Sequence, residues 1–207
     1  MSKHVEAAAL SLKGPQGWVY RGVSFAAEQG SLVAVAGASG SGRTSLLLTL
    51  AGRMKPTQGT VTVAGQVKPR RIHKVAALAV LPGVNDLEAR LTVGEHVSER
   101  LTGQGWMLPK TTRSRMTEAL KAVGLDLDPK MTADELDPVQ IIHFGVALAL
   151  LERPEVVLVD DVGRGVTADR HAAVWEPLTR LSQTVIAACV DPPPNATQVV
   201  TLPLDRA

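Results

Sequence analysis

The stretch from Ser31 to Ser45 constrains this chain more than any other. An apolar run, Leu32-Val33-Ala34-Val35-Ala36, stops at Gly37 and is followed by Ala38, Ser39, Gly40, Ser41, Gly42, Arg43, Thr44 and Ser45. The apolar run reads as the strand that leads into the loop. Glycines at 37, 40 and 42 let the backbone turn tightly, so that successive N–H groups point at an anion seated on a helix N-terminus. The helix that follows, about 42–53, carries Leu46, Leu47, Leu48, Leu50 and Ala51 and is apolar nearly all round, as burial against a sheet requires. The spacing is that of the phosphate loop G-x-x-x-x-G-K-[ST], with Arg43 where the lysine stands. The bland alternative is a Gly/Ser-rich turn that holds no ligand, and the rest of the chain has to decide.

A second apolar strand, Val156-Val157-Leu158-Val159, ends in Asp160-Asp161. An aspartate at the carboxyl end of a buried parallel strand faces the crevice where such sheets bind ligands, and it can hold Mg2+ through water. Thr44 would add a hydroxyl ligand from the loop. The two segments together predict a Mg-nucleotide site, with Gly37, Ala38, Ser39, Gly40, Ser41, Gly42, Arg43, Thr44 and Ser45 holding phosphates and Thr44 and Asp160 holding the metal.

Around these segments the chain reads as α/β. Residues 5–12 and 18–25 form two strands about the turn 13–17, and Thr60 to Gly65 alternates as a half-exposed strand. An apolar strand is expected at 75–81, ending at Pro82-Gly83. Thr92 with Glu95 three residues on is a capping box, and Met116, Leu120 and Val123 recur at helical spacing before Gly124. A helix at about 138–151, another near 168–182, and strands at 184–189 and 199–202 complete the pattern. The length, 207 residues, suits one domain over 1–207, with a core and β lobe in 1–83 and 138–207 and a helical insertion at about 84–137.

Composition limits the function. Lys and Arg number 22 against 20 Asp and Glu, which gives no electrostatic reason to expect nucleic acid as a partner. The basic stretch Lys68 to Lys74 reads as a solvated face or partner edge. The single cysteine, Cys189, excludes an internal disulfide and, in an apolar run, reads as a buried thiol. Met1 to Glu6 does not open a signal peptide, and Phe144 to Leu151 is too short to cross a bilayer. The five histidines lack metal-ligand spacing.

In this order the motifs resemble the ATP-binding cassette family, the nucleotide-binding subunits of ABC transporters, over essentially the whole chain. Gly22-Val23-Ser24-Phe25 through Gly30 to Gly37 is similar to the family's approach to its phosphate loop, Pro56 to Val61 to its following strand, and Leu91 to Glu95 to the start of its helical subdomain. Gly145 to Glu155 running into Val156 to Asp160 is the most specific stretch. The resemblance implies a P-loop NTPase core with a mostly parallel sheet, an antiparallel β lobe and a helical subdomain. It implies ATP and Mg2+ as cofactors, a second ATP-binding subunit as homo- or heterodimer partner, an integral membrane transporter subunit, and a place at the cytoplasmic face of the membrane.

Several positions depart from the family pattern. Arg43 replaces the lysine, and Asp161, one methylene short, stands where the family has its catalytic glutamate. The signature Leu-Ser-Gly-Gly-Gln becomes Leu136-Asp137-Pro138-Val139-Gln140, a good helix start with an altered phosphate contact. The switch histidine corresponds to Val190, the Mg-sensing glutamine falls near Gly83, and the aspartate of the loop crossing the dimer falls at Thr167. The adenine-stacking aromatic falls at Gly14, with Trp18 or Tyr20 as substitutes. Two readings follow: an ATP-binding transporter subunit that hydrolyses slowly or with help, or a pseudo-ATPase that senses nucleotide or holds a partner. A phosphate-loop kinase is disfavoured by the signature-like helix directly before the magnesium strand.

Overall fold

The computed structural model describes residues 3–81, 83–103 and 109–204. In chain order the elements are β1 (Lys3–Gly14), β2 (Gly17–Glu28), β3 (Leu32–Ala36), α1 (Arg43–Leu50), β4 (Gln58–Val63), α2 (Pro69–Ile72), β5 (Ala76–Leu78), α3 (Val93–Thr102), α4 (Pro109–Ala122), α5 (Pro138–Leu150), β6 (Val156–Val162), α6 (His171–Thr179), β7 (Thr184–Cys189) and β8 (Gln198–Thr201). They make two sheets. One is antiparallel, β2-β1-β4, and the other has the order β5-β6-β7-β3-β8 with every pairing parallel.

The alternation of side chains in β3 explains the layering. Val33 and Val35 point to one face, where Leu46, Leu47 and Leu50 of α1 and the inner face of the antiparallel sheet cover them. Leu32, Ala34 and Ala36 point to the other, against Phe144 of α5 and Val174, Trp175 and Leu178 of α6. Buried on both faces, β3 and β7 are apolar almost without interruption. Val97, Leu101, Leu120 and Val123 pack into the α5 side of this core, so the helical stretch is anchored to the sheet through α5. Its start is fixed by Thr92, which caps α3 by accepting from the Glu95 amide while the Glu95 carboxylate accepts from the Thr92 amide.

Two expectations change, and a third, the solvated basic stretch, holds except at one residue. The strand expected over 75–81 pairs only over Ala76–Leu78. The Ala79 amide still donates to the Leu158 carbonyl of β6 at 2.8 Å, and from there the Asn85 side chain takes over, donating to the Ala79 carbonyl at 3.1 Å and accepting from the Leu81 amide at 2.7 Å. Ala79 and Leu81 stay buried, which is why their sequence reads as strand. The helix expected near 168–182 is a 3-10 turn at 168–170 followed by α6, which runs past Pro177 and closes at Thr179, where the Arg180 amide turns back to the Pro177 carbonyl at 3.1 Å. The basic stretch at 68–74 contains α2, with Pro69 in its first turn and Ile72 buried in the core, while Arg70 and Arg71 face solvent.

Candidate functional site

The carboxyl ends of β3, β6 and β7 meet at one edge of the parallel sheet. Gly37, just past β3, donates its amide to the Cys189 carbonyl at 3.2 Å, which ties the loop to the end of β7. A Cβ at Gly37 would lie 2.5 Å from Ser41 Oγ and 2.9 Å from the Leu202 carbonyl. Gly42 is the N-cap of α1 with φ +88°, and a Cβ there would press on the Val19 carbonyl. These two positions therefore admit glycine alone. Between them Ala38, Ser39 and Gly40 form an exposed crest, and the Ser41 amide returns to the Ala38 carbonyl at 3.1 Å. Ser45 sits in the first turn of α1, its carbonyl accepting from Thr49.

The structure brings Thr44 and Asp160 together across 116 residues: Thr44 Oγ1 donates to Asp160 Oδ2 at 2.6 Å. Asp160 is 7% exposed, and its Oδ1 has no hydrogen-bond partner among the described residues. Burial pushes its carboxyl above the usual range and the neighbouring Asp161 adds to the push, against the hydrogen bond from Thr44. A buried carboxylate with one oxygen unspent, beside a hydroxyl at a phosphate loop, suits a hard divalent cation. The residues present fit Mg2+.

Arg43 and Asp161 meet as well. Arg43 Nη1 donates to the Gly37 carbonyl at 2.7 Å and Nη2 to Asp161 Oδ1 at 3.1 Å, so the guanidinium spans from the start of the loop to the end of β6. The other oxygen, Asp161 Oδ2, faces Arg164 Nη1 at 3.4 Å. Asp161 holds φ +48°, a left-handed conformation that non-glycine residues seldom adopt. A cavity of about 800 Å3 opens here, lined among others by Ser39, Arg43, Asp161, Arg164, His171 and Val190.

His171 was not foreseen, since no spacing pattern pointed to it. It reaches this cavity because Gly163, at φ +95°, lets the backbone pass under its ring; a Cβ there would lie 3.0 Å from His171 Nε2.

The helix start that corresponds to the signature is satisfied from within, and its Pro138 lines a second cavity with Asp160, Asp161 and Arg164. Asp137 Oδ1 accepts from the amides of Val139 (2.8 Å) and Gln140 (3.0 Å), and the Gln140 side chain accepts from the Asp137 amide at 3.0 Å. Asp137 Oδ2 pairs with Arg170 Nη2 at 2.9 Å. Of the two aromatics left open, Tyr20 is buried, its hydroxyl 2.7 Å from Thr49 Oγ1. Trp18 is half-buried, its ring flanked by Lys13 Nζ at 5.8 Å and Arg21 Cζ at 5.4 Å. Its neighbour Val19 touches the loop at Gly42.

The ABC transporter family profile matches residues 20–163. The chain is 33% identical over 190 residues to an Fe(3+) ion import ATP-binding protein, FbpC 1, of Rhodococcus jostii, covering 84% of this chain and 51% of that protein. It is 27% identical to the Nod factor export ATP-binding protein I of Ralstonia nicotianae, over 79% of this chain and 51% of that one. The chain thus spans about half the length of these curated relatives. Among solved structures, cbiO1 of Clostridium perfringens, part of an ABC transporter complex, superposes with a TM-score of 0.78 at 19% identity, covering 92% of this chain and 80% of its own. A dimeric bacterial ABC transporter cassette gives a TM-score of 0.77 at 20% identity, covering 96% and 94%. The family match covers more than half of the chain, the fold agrees with that of the family's ATP-binding cassettes, and the chain belongs to the ABC transporter family.

Proposed function

We propose that this chain is the ATP-binding subunit of an ABC transporter, one ABC-type domain over residues 1–207 that binds Mg-ATP and hydrolyses it slowly or with a partner's help. The observation that carries the reading is the 2.6 Å hydrogen bond from Thr44 to Asp160 at the mouth of a glycine loop, with Asp160 Oδ1 buried and unspent. Gly37 to Ser45 cradle the phosphates. The backbone N–H groups and the α1 N-terminus supply positive potential, and Arg43 supplies a full charge. Thr44 and Asp160 hold Mg2+, whose chemistry when bound is to neutralise charge on the phosphate oxygens. Asp161 is the candidate base for the attacking water. Its carboxylate is one methylene shorter than glutamate, and a displacement of about 1 Å costs on the order of a hundredfold in rate.

The core and β lobe comprise 1–83 and 138–207, and the helical stretch of about 84–137 is the face offered to a separate integral membrane subunit. A second ATP-binding subunit completes the site, and the assembly lies at the cytoplasmic face of the membrane. No described helix is long and apolar enough to cross a membrane, which agrees with a peripheral role. This chain's own helix start at Asp137 spends the Val139 and Gln140 amides on its own cap, so it offers neither of them to a phosphate on the loop of the second subunit, in a homo- or a heterodimer. The same occupied cap supports a second reading, a catalytically inactive ABC-like module that senses nucleotide or holds a partner.

Titration of the melting temperature with Mg-ATP tests the reading. A ligand that binds only the native state adds RT ln(1 + [L]/Kd), about 2.7 kcal/mol at a hundredfold excess over Kd. A saturating shift that is lost in Gly42→Asp, and weakened in Thr44→Ala where the backbone is untouched, is expected. A melting curve unmoved by millimolar Mg-ATP overturns both readings as nucleotide sites. Turnover by the chain mixed with its partner, abolished in Asp161→Asn, separates the subunit from the inactive module.

A further inference from the structure

We propose that Arg43 and Asp161 form a latch across the phosphate cradle, which an incoming phosphate opens by taking the guanidinium from the carboxylate. The inference deepens the nucleotide reading and rests on it. The Arg43 side chain is 9% exposed and Asp161 33%, so the pair is shielded on the arginine side and open to the cavity on the carboxylate side. A shielded guanidinium needs acceptors, and here it has two, the Gly37 carbonyl at 2.7 Å and Asp161 Oδ1 at 3.1 Å. A planar fork with several fixed donors can serve both at once, which a lysine ammonium does only as a point charge. The reach of the longer cation matches the retreat of the shorter anion.

The latch occupies the seat the phosphate needs. Arg43 and Asp161 line the same cavity as Ser39 on the loop crest, so a phosphate entering along the loop meets a guanidinium already held by a carboxylate. A phosphate and a carboxylate offer the same paired oxygens to an arginine, and the phosphate brings more charge. When the guanidinium moves to the phosphate, Asp161 loses one of its two arginine contacts, and the oxygen that faced Arg43 is released to accept a hydrogen bond from water. Asp161 then positions the water only when a phosphate is seated. Without one it serves as the counter-ion of Arg43. The left-handed backbone of Asp161, which aims its side chain back at the loop, is part of the same arrangement.

The test is a binding cycle with wild type, Asp161→Asn, Arg43→Gln and the double variant, each titrated by calorimetry with Mg-ATP and with inorganic triphosphate. In the Arg43 background, Asp161→Asn is expected to tighten binding roughly three- to tenfold, since it removes the competing acceptor of a partly exposed charged pair. In the Arg43→Gln background the same change is expected to alter Kd less than twofold. If Asp161→Asn tightens binding equally in both backgrounds, its charge merely repels phosphate and the latch is wrong. If it weakens binding, Asp161 helps to hold the ligand and the latch is wrong again. Should Arg43→Gln fail to fold, Arg43→Lys replaces it, and the tightening is then expected to shrink rather than vanish. Triphosphate bound with the expected coupling and no gain from the nucleoside of ATP upholds the latch and overturns the ATP assignment. Mg-ATP bound without coupling does the reverse, and no binding of either by any variant overturns both.

Discussion

Replacing Asp137 by alanine and by asparagine separates the two things this carboxylate does at the start of α5. Its Oδ1 accepts from the amides of Val139 and Gln140 at 2.8 and 3.0 Å, and its Oδ2 pairs with Arg170 at 2.9 Å. Loss of an N-cap of this kind costs about 1 kcal/mol and up to about 2. The Arg170 pair is exposed on both sides, 46% and 38% by side chain, so it adds only about 0.2–1 kcal/mol. Asp137→Ala is therefore expected to lose about 1.5–2 kcal/mol, and Asp137→Asn, which keeps an acceptor at the cap, under about 1 kcal/mol. For a chain of this size 1 kcal/mol is roughly 2–4 °C in melting temperature.

Urea denaturation of the three proteins at neutral pH, with equal m-values as the check on two-state behaviour, measures the difference. Partial burial, the largest single influence on this carboxyl, pushes it up, but the hydrogen bonds from Gln140 and Val139 and the Arg170 guanidinium together hold it below its ordinary value of 3.8. Its folded-state affinity for a proton being lowered, the stabilisation is complete above that value and fades on acidification below it. If Asp137→Asn costs as much as Asp137→Ala, the pair with Arg170 and not the cap holds this helix start, and the explanation of the altered signature as a retained structural cap is wrong.

Three further outcomes are expected. Gly42→Ala should destabilise more than Gly22→Ala in the same denaturation assay, because both glycines have positive φ but only Gly42 would meet the Val19 carbonyl, whereas a Cβ at Gly22 meets nothing within 4 Å; equal losses would refute the close approach. His143 is buried and held below its ordinary value of 6.5, chiefly by desolvation and against its hydrogen bond to the Val174 carbonyl. Neutral His143 thus contributes stability above that pH that is lost as the pH falls, and the slope of stability between pH 6.5 and 5 should flatten in His143→Gln; an unchanged slope counts against this. Cys189, its thiol pushed up to about 11 by burial, should resist iodoacetamide in the native state at pH 8 and react on unfolding; rapid native labelling would show that β7 is open.

The parts of the fold that could be read in the sequence were those where local chemistry and tertiary demand agree. The Thr92–Glu95 capping box, the apolar run into Gly37, and the Asp137-Pro138 start of α5 each carry their own signal, and each starts or ends an element where expected. The strand at 75–81 was overextended because Ala79 and Leu81 are as buried as strand residues, while the Ala79 carbonyl and the Leu81 amide are met by a side chain, Asn85, that no alternation pattern reveals. The 168–182 helix lost its ends to the 3-10 turn at 168–170 and to the tight closure of Arg180 onto the Pro177 carbonyl. At the site, Thr44 and Asp160 were legible from motif order. The pairing of Arg43 with Asp161 was not, because two substitutions 118 residues apart reveal their complementarity only when the chain brings them within 3.1 Å. Tyr20 also could not be told from Trp18 by sequence, since only packing shows that Thr49 receives its hydroxyl.

The retained glycines alone do not argue for a ligand. Gly37 is required by Ser41 and the Leu202 carbonyl, and Gly42 by the Val19 carbonyl, so packing would keep both in a chain that binds nothing. What packing does not require is a carboxylate buried at Asp160 with one oxygen unspent, in a position where burial and a second aspartate both work against its charge. An apolar or amide side chain there would suit the bare fold better. The Arg43 charge favours the ionised form, but its hydrogen bonds go to Gly37 and to Asp161 and leave Asp160 Oδ1 without a partner. Asp160→Asn should accordingly make the ligand-free protein more stable at neutral pH, while reducing the Mg2+ dependence of nucleotide binding by tenfold or more, a magnitude typical of lost metal-site groups. The first effect is read by urea denaturation without nucleotide and the second by calorimetry with and without Mg2+. A less stable Asp160→Asn protein whose binding keeps its Mg2+ dependence would make Asp160 a structural anchor for Thr44, and the metal assignment would fall with it.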